Sequence, residues 1–559
     1  MNVASFLVDQ ARKHPHAVAV YYPEGRNRDG KTRYTHYTYR QLDLESDRIA
    51  RGLAAMGIGR GVRTALMVKP SLEFFALTLA IFRLGAVPVV IDPGIGLSSL
   101  KTCLGEAEPE AFIGVPAAHA ARVLLGWGRA TIRRNVTVGR RLFWGGATLA
   151  ELRRGPLAAE ASPVADTQPD EVAAILFTSG STGLPKGVVY RHENFAAQVE
   201  AIGKLSVIEA GEIDLPTFPL FALFDPAFGM AAVIPDMDPT RPGDVDPRRI
   251  AEAVEDFGVT NMFGSPALLD TVGRHGAKHG MRLPTLKRVI SAGAPVPAEV
   301  MRRFLAMLPE GAEILTPYGA TECLPVSCIS SRQVLATTAA ATDRGAGVCV
   351  GAPVPSIELR IIRIDDGPIA RWSDDDVLPN GEVGEIVVRG PQATRSYYNR
   401  PEATLLAKIE DPRGGLPGES FWHRMGDVGY LDAEGLLWFC GRKAHRVRTA
   451  DGLRFTIPCE AVFNTHPAVR RTALVGVGPA DGARPVLCVE KLASAIPVAD
   501  SQLVAELLEI GQTQEHTRCI QTVLFHPGFP VDIRHNAKIG REKLAAWATK
   551  RLGVRSGNA

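Results

Sequence analysis

Thr178-Ser179-Gly180-Ser181-Thr182-Gly183-Leu184-Pro185-Lys186-Gly187 lies between two short apolar runs, Ile175-Leu176-Phe177 and Val188-Val189. Runs of that length bounded by Gly, Ser and Thr read as buried strands joined by a turn. The turn suits an anion. Gly180, Gly183 and Gly187 tolerate backbone angles closed to other residues and let amide N–H groups approach a ligand. The hydroxyls of Thr178, Ser179, Ser181 and Thr182 add donors, and Lys186 adds a positive charge. Two other phosphate loops are excluded by counting. A P-loop has Gly directly before its Lys, but Pro185 stands here and no Ser or Thr follows Lys186; G-x-G-x-x-G is also absent. A polyphosphate-binding hairpin therefore accounts for the stretch better than a plain Gly/Ser turn.

Outward from the loop, apolar spacing predicts a helix from Thr38 to Met56, stopped by Gly57 and Gly59, then a strand over 62–68. Residues 72–91 are nearly all apolar, yet Arg83, Gly85 and Pro88 interrupt them short of the ~20 residues a membrane span needs. A buried helix (72–84) and a buried strand (86–91) fit better. The recurring strand-helix-strand order implies an α/β fold with parallel strands. Val289-Ile-Ser-Ala-Gly-Ala-Pro295 and Leu315-Thr-Pro-Tyr-Gly-Ala-Thr-Glu322 each read as a strand running into a Gly turn, where ligands of such sheets bind. Residues 442–559 carry their own strand and helix pattern. The expected architecture is a large N-terminal domain (1–441) of mixed and parallel sheets layered with helices, a hinge at 442–446, and a small mobile α+β domain (447–559).

Composition bounds the answer further. With 559 residues the chain needs more than one packed unit. A net charge of +3 is too small to argue for nucleic acid. Eight cysteines without a C-x-x-C pair imply reduced thiols in a cytoplasm, with no disulfide framework and no zinc site. The first residues, with Asp9 among them, lack the apolar core of a signal peptide. Residues 122–144 mix arginines with Leu124, Trp127 and Phe143; no helical face there is cleanly apolar, so a solvated basic face is preferred and peripheral membrane contact is left open. Phe218 to Phe228 is dense in large apolar residues, suited to core or to an apolar ligand pocket.

The loop at 178–187 resembles the signature loop of the adenylate-forming superfamily, which includes acyl-CoA ligases, peptide-synthetase adenylation domains and luciferases. Further motifs similar to that family's follow in order between Thr38 and Leu544. Tyr318-Gly319-Ala320-Thr321-Glu322 resembles the element that gives Tyr318 the adenine face, Thr321 an α-phosphate contact and Glu322 the Mg²⁺. Gly293, Ala294 and Pro295 correspond to the adenine-side turn. Trp422-His-Arg-Met-Gly-Asp427 is similar to the element whose Asp takes the ribose hydroxyls, and Arg442 to the arginine at the interdomain joint. His535-Asn-Ala-Lys-Ile-Gly-Arg541 resembles the loop that delivers a catalytic lysine, here Lys538. The resemblance implies ATP as nucleotide and Mg²⁺ as cofactor. Three positions depart from the pattern: Ala222 replaces a usual His beside the acyl site, Ala444 replaces a charged pivot in the hinge, and Ala537 replaces a Gly. Phe221, Ala222, Phe224 and Phe228 are the expected acyl-site residues.

Tyr190-Arg-His-Glu-Asn194, Phe224-Asp-Pro226 and Asp532-Ile-Arg-His-Asn-Ala-Lys538 further resemble the β-lactone synthetases of bacterial long-chain olefin biosynthesis. That resemblance implies activation of a long-chain 2-alkyl-3-hydroxy acid to its adenylate, ring closure by its own hydroxyl, and work beside other olefin-biosynthesis enzymes in a multi-enzyme assembly. Other readings stay open. A fatty acyl-CoA ligase shares every nucleotide residue. An amino-acid activator is disfavoured, because the chain ends without a carrier domain. A non-catalytic nucleotide or fatty-acid binding protein is expected to lack Lys538 or Glu322, and both are present.

Overall fold

The computed structural model describes residues 2–91, 95–156, 158–178, 185–413, 420–492, 498–531 and 539–554. Local chemistry sets its first layer. Helix α1 (Tyr39–Ala55) starts at a capping box: the Thr38 hydroxyl accepts from the Gln41 amide while the Gln41 side chain accepts from the Thr38 amide. Helix α2 (Leu72–Arg83) is capped by Ser71 and buried from Phe74 to Arg83, because it packs along α1. Its buried arginine, Arg83, is satisfied by an ion pair with Asp43 of α1. The apolar stretch is thus a core helix, and among the described residues no helix is long and apolar enough to cross a membrane.

Behind these helices lies a seven-stranded sheet. Strands β1 (Arg63–Met67), β2 (Val87–Ile91), β3 (Ala111–Gly114) and β4 (Val172–Thr178) run parallel in the spatial order β3-β1-β2-β4. Strand β5 (Lys186–Arg191) closes the edge antiparallel to β4, with Thr178 opposite Lys186. The hairpin read from the sequence is therefore present, although Ser179, Gly180, Ser181, Thr182 and Gly183 lie outside the described residues.

A second sheet has fourteen strands and changes character halfway. Strands β6 (Ile213–Pro216), β7 (Asn261–Phe263), β8 (Arg288–Ile290) and β9 (Glu313–Ala320) are parallel neighbours. From β9 onward pairing is antiparallel: β10 (Cys323–Ser330) turns back beside it, and beyond Val348–Pro353 come β12 (Leu437–Arg442) and then β11 (Phe421–Leu431). The parallel half is covered by an apolar core built on Leu215, Met262, Val289 and Ile314. Helix α3 (His192–Ser206) follows β5, and a short helix α4 (Asp225–Phe228) follows β6.

After Arg442 the chain leaves that sheet. Helices α5 (Thr456–Asn464), α6 (Asp500–Gln512) and α7 (Arg541–Arg551) accompany a separate sheet of strands Val469–Val477, Arg484–Lys491 and Thr522–Phe525. A buried ion pair between Glu460 and Arg541 ties α5 to α7. Arg446 reaches back to Asp366 at 2.5 Å. In the 122–144 segment the tryptophans turn inward: Trp127 and Trp144 are buried, and Trp144 stacks on His119 at 5.2 Å. Arg133, Arg134 and Arg141 donate to backbone carbonyls, while Leu124 and Phe143 remain exposed.

Candidate active site

The β4-β5 hairpin edge, the carboxyl ends of β6, β8 and β9, and the β11-β12 pair face one continuous cavity of ≈ 2470 Å³. A site for a drug-sized ligand is about 300–1,000 Å³, so this space exceeds a single such site. One end is polar and the other apolar.

At the polar end the β9-β10 hairpin positions Thr321 and Glu322. Ala320 pairs with Cys323 across the ladder, leaving those two residues as the tip. The tip is held from three sides. The Tyr190 hydroxyl donates to the Thr321 carbonyl at 2.5 Å, and Gln198 in turn donates to Tyr190. The Thr394 amide donates to the Glu322 carbonyl at 2.8 Å. The Tyr397 hydroxyl donates to Glu322 Oε1 at 2.7 Å. Lys186 Nζ sits 4.9 Å from the centre of the Tyr397 ring, so Tyr397 joins the β4-β5 hairpin to the acidic tip. A side chain at Gly319 has no room: a Cβ would lie 2.8 Å from the Cys323 carbonyl oxygen.

Tyr318, Asp427 and Arg442 meet beside this tip. The register of β11 against β12 sets Asp427 opposite Arg442, and their side chains pair at 2.9 Å. The Tyr318 hydroxyl donates to Asp427 Oδ2 at 2.6 Å. Burial and then the Asp427 carboxylate push the Tyr318 phenol well above its ordinary range, so it stays a donor. The same carboxylate raises Arg442. Gly293, at φ +93°, turns the chain after β8, and Gly293, Ala294 and Pro295 line the cavity together with Ala320.

At the apolar end Phe221, Phe224 and Phe228 line the wall, with Phe221 packed edge-on against Phe263 at 4.4 Å. Ala222 does not line it. The 3₁₀ turn Pro219–Leu223 carries it to the opposite side, where it is buried in the core that includes Leu7, Tyr39 and Leu42. The expectation that Ala222 contacts an acyl chain is corrected accordingly. Successive residues of a 3₁₀ turn point about 120° apart, so Phe221 lines the cavity while Ala222 beside it does not, which an ungapped motif comparison does not reveal.

Lys538 lies outside the described residues. The chain on either side of it is anchored by an antiparallel bridge between Val531 and Ile539, both packed with Phe529 and Leu544. The Thr178 backbone ends β4 beside the hairpin.

Sequence reasoning missed Tyr397 and Lys408. Tyr397 comes to the site from a loop remote in sequence, and Tyr397-Tyr398 carries no spacing signal. Lys408 donates to the Thr394 carbonyl and lies 3.1 Å from His423 Nδ1. Desolvation pulls its amine down to about 7, with Glu322 opposing. Only the strand pairing of Lys408 with His423 brings it there.

Comparison with known proteins agrees with this geometry. The family model described as AMP-binding enzyme matches residues 7–398. An olefin beta-lactone synthetase of Stenotrophomonas maltophilia (strain K279a) is 55% identical, covering 99% of each chain. Another, of Xanthomonas campestris pv. campestris, is 53% identical over 98% of each. ATP-bound MatB from Rhodopseudomonas palustris shares the fold at 22% identity and TM-score 0.75, over 99% of this chain and 100% of that one. The chain therefore belongs to the AMP-binding enzyme family, within which it groups with the olefin beta-lactone synthetases.

Proposed function

We propose that this enzyme is an ATP-dependent β-lactone synthetase acting on a long-chain 2-alkyl-3-hydroxy acid. The observation that carries the reading is the cavity itself. It joins Lys186, Tyr318, Glu322, Asp427 and Arg442 to a wall carrying Phe221, Phe224 and Phe228 in one space of ≈ 2470 Å³, which gives a long-chain acid room beside a nucleotide.

In this reading Thr178, Ser179, Gly180, Ser181, Thr182, Gly183 and Lys186 cradle the β- and γ-phosphates. Tyr318, with Gly293, Ala294, Pro295, Gly319 and Ala320, takes the adenine, while Asp427 and Arg442 take the ribose. Thr321 contacts the α-phosphate. Among the described residues no group of three His, Cys, Asp or Glu gathers to form a cage. A lone carboxylate beside phosphate oxygens is the donor set Mg²⁺ accepts, and Glu322 would hold it. Bound there, Mg²⁺ neutralises phosphate charge. Lys538 supplies the cation that lets a carboxylate approach the α-phosphate, and the small domain (447–559) brings it in by turning about 442–446.

Pyrophosphate leaves, and the acyl-adenylate carries AMP as leaving group. The β-hydroxyl of the same molecule attacks the acyl carbon, closing the ring. An intramolecular nucleophile has a high effective molarity, and an apolar pocket keeps water from competing. Ala444 at the hinge suits a reaction with no external thiol. A cytoplasmic location and a place in a multi-enzyme assembly follow from the same reading, since intermediates this hydrophobic benefit from direct transfer.

The test is incubation with ATP, Mg²⁺ and a 2-alkyl-3-hydroxy acid without thiol. Lactone, AMP and pyrophosphate in equal amounts are expected, with the lactone identified by infrared or NMR. AMP release only when coenzyme A is added favours the acyl-CoA ligase reading instead.

A further inference from the structure

The apolar end of the cavity contains two carboxyl groups that the adenylation chemistry does not use. Asp214 on β6 and Asp225 at the start of α4 are 8% and 2% exposed, and both line the cavity. Asp225 Oδ2 has no hydrogen-bond partner among the described residues. A buried carboxylate oxygen left without a donor is costly, so its retention against a ligand cavity points to a donor that the ligand brings.

The surroundings do not neutralise the pair. Arg288 on β8 faces Asp214, but its guanidinium is engaged by Glu212 at 2.9 Å. Tyr39 from α1 approaches Asp225, but its hydroxyl donates to the Met230 carbonyl at 2.6 Å. Burial pushes Asp214 up to about 7, and burial together with the Asp214 charge pushes Asp225 well above the usual carboxylate range. A carboxyl group raised in this way offers an acceptor oxygen and a donor O–H in its neutral form, and in its ionised form it is a stronger proton acceptor than an ordinary aspartate. An alcohol fits such a pair, because its O–H needs an acceptor and its oxygen can accept in return. A plain fatty acid has no group for it.

We propose that Asp225, positioned by Asp214, is the site that receives the β-hydroxyl of the substrate and takes its proton as the ring closes. This rests on the lactone-forming reading above. In the step, the O–H bond breaks and its proton passes to the Asp225 carboxylate. The oxygen's electron pair forms the bond to the acyl carbon, the bond from that carbon to the phosphate oxygen breaks, and AMP leaves with that pair. Asp225 is then the residue that separates a 3-hydroxy acid from its 3-deoxy counterpart.

The experiment uses the full chain and two isosteric variants, Asp225→Asn and Asp214→Asn, with a 2-alkyl-3-hydroxy acid and the matching 2-alkyl acid. Pyrophosphate release, adenylate accumulation and lactone are followed separately. Loss of a positioned proton acceptor lowers lactone formation by about 10²-fold or more in Asp225→Asn. Pyrophosphate release from the 3-deoxy acid stays within about 3-fold, because the general-base step lies after it. The adenylate accumulates, and the preference in KM for the hydroxy acid over the deoxy acid disappears. Asp214→Asn moves the same readouts in the same direction by less. Lactone formation at the parent rate in Asp225→Asn overturns the proposal. So does an equal loss of pyrophosphate release with both acids, which marks a structural role only. A parent enzyme that makes no lactone at all is a different result and refutes the underlying reading. A parent that adenylates an amino acid in preference to the hydroxy acid assigns the pair to an ammonium group and overturns the proposal as well.

Discussion

At the scale of single residues, Glu322 and Tyr397 show how a motif and its support differ in legibility. Glu322 stood out because Tyr-Gly-Ala-Thr-Glu is a contiguous word. Tyr397 reaches it across the fold, and only the hydrogen bond at 2.7 Å reveals the partnership. Removing a preorganised electrostatic group costs on the order of 10²–10³ in rate, so Glu322→Gln is expected to lower pyrophosphate formation by that factor. Tyr397→Phe removes one orienting hydrogen bond, worth about 1 kcal/mol, and a loss of about 5-fold to 10-fold is expected. Pyrophosphate release measured across Mg²⁺ concentrations checks both, and equal effects of the two variants contradict the assignment. Asp214 makes a prediction about pH. Its folded-state pKa of about 7 exceeds the ordinary Asp value of about 3.9. Between those values the unfolded chain has released a proton that the folded chain keeps, so this group's contribution to stability falls as pH rises through the window. Asp214→Asn is expected to melt progressively higher than the parent as pH goes from about 5 to about 8; a difference that stays constant with pH contradicts the argument.

At the scale of elements, periodicity and turn chemistry carried far. The capping box at Thr38, the core helix beginning at Leu72 and the β4-β5 hairpin are all places where the local sequence and the tertiary surroundings favour the same structure. Short elements were less legible. The turn Pro219–Leu223 and helix α4 are too brief to show a period, so which faces of Ala222 and Asp225 meet the cavity could be read only from the folded chain. The β9-β10 hairpin offers a direct test of how an element holds the site. Gly319→Ala forces its new Cβ against the Cys323 carbonyl, and a backbone shift costing about 1–3 kcal/mol is expected. The shift moves Thr321 and Glu322 with it. Thermal melting and pyrophosphate release should both fall, and an unchanged melting temperature contradicts the packing argument.

At the scale of the whole molecule, the sequence pattern indicated parallel strands in the first half and a self-contained pattern after Arg442, but not that fourteen strands share one sheet. The switch from parallel to antiparallel pairing at β9 is a long-range property: β10 and β12 become near neighbours although more than a hundred residues separate them. That switch is what places Tyr318, Asp427 and Arg442 together. In the proposed mechanism a nucleotide held by the large part reacts only when the part after 442–446 delivers Lys538. Pyrophosphate release from ATP and a 2-alkyl-3-hydroxy acid by Lys538→Ala, compared with the parent, tests this most directly. A loss of at least about 10²-fold with ATP binding retained is expected; pyrophosphate release at the parent rate would contradict the proposed role of Lys538.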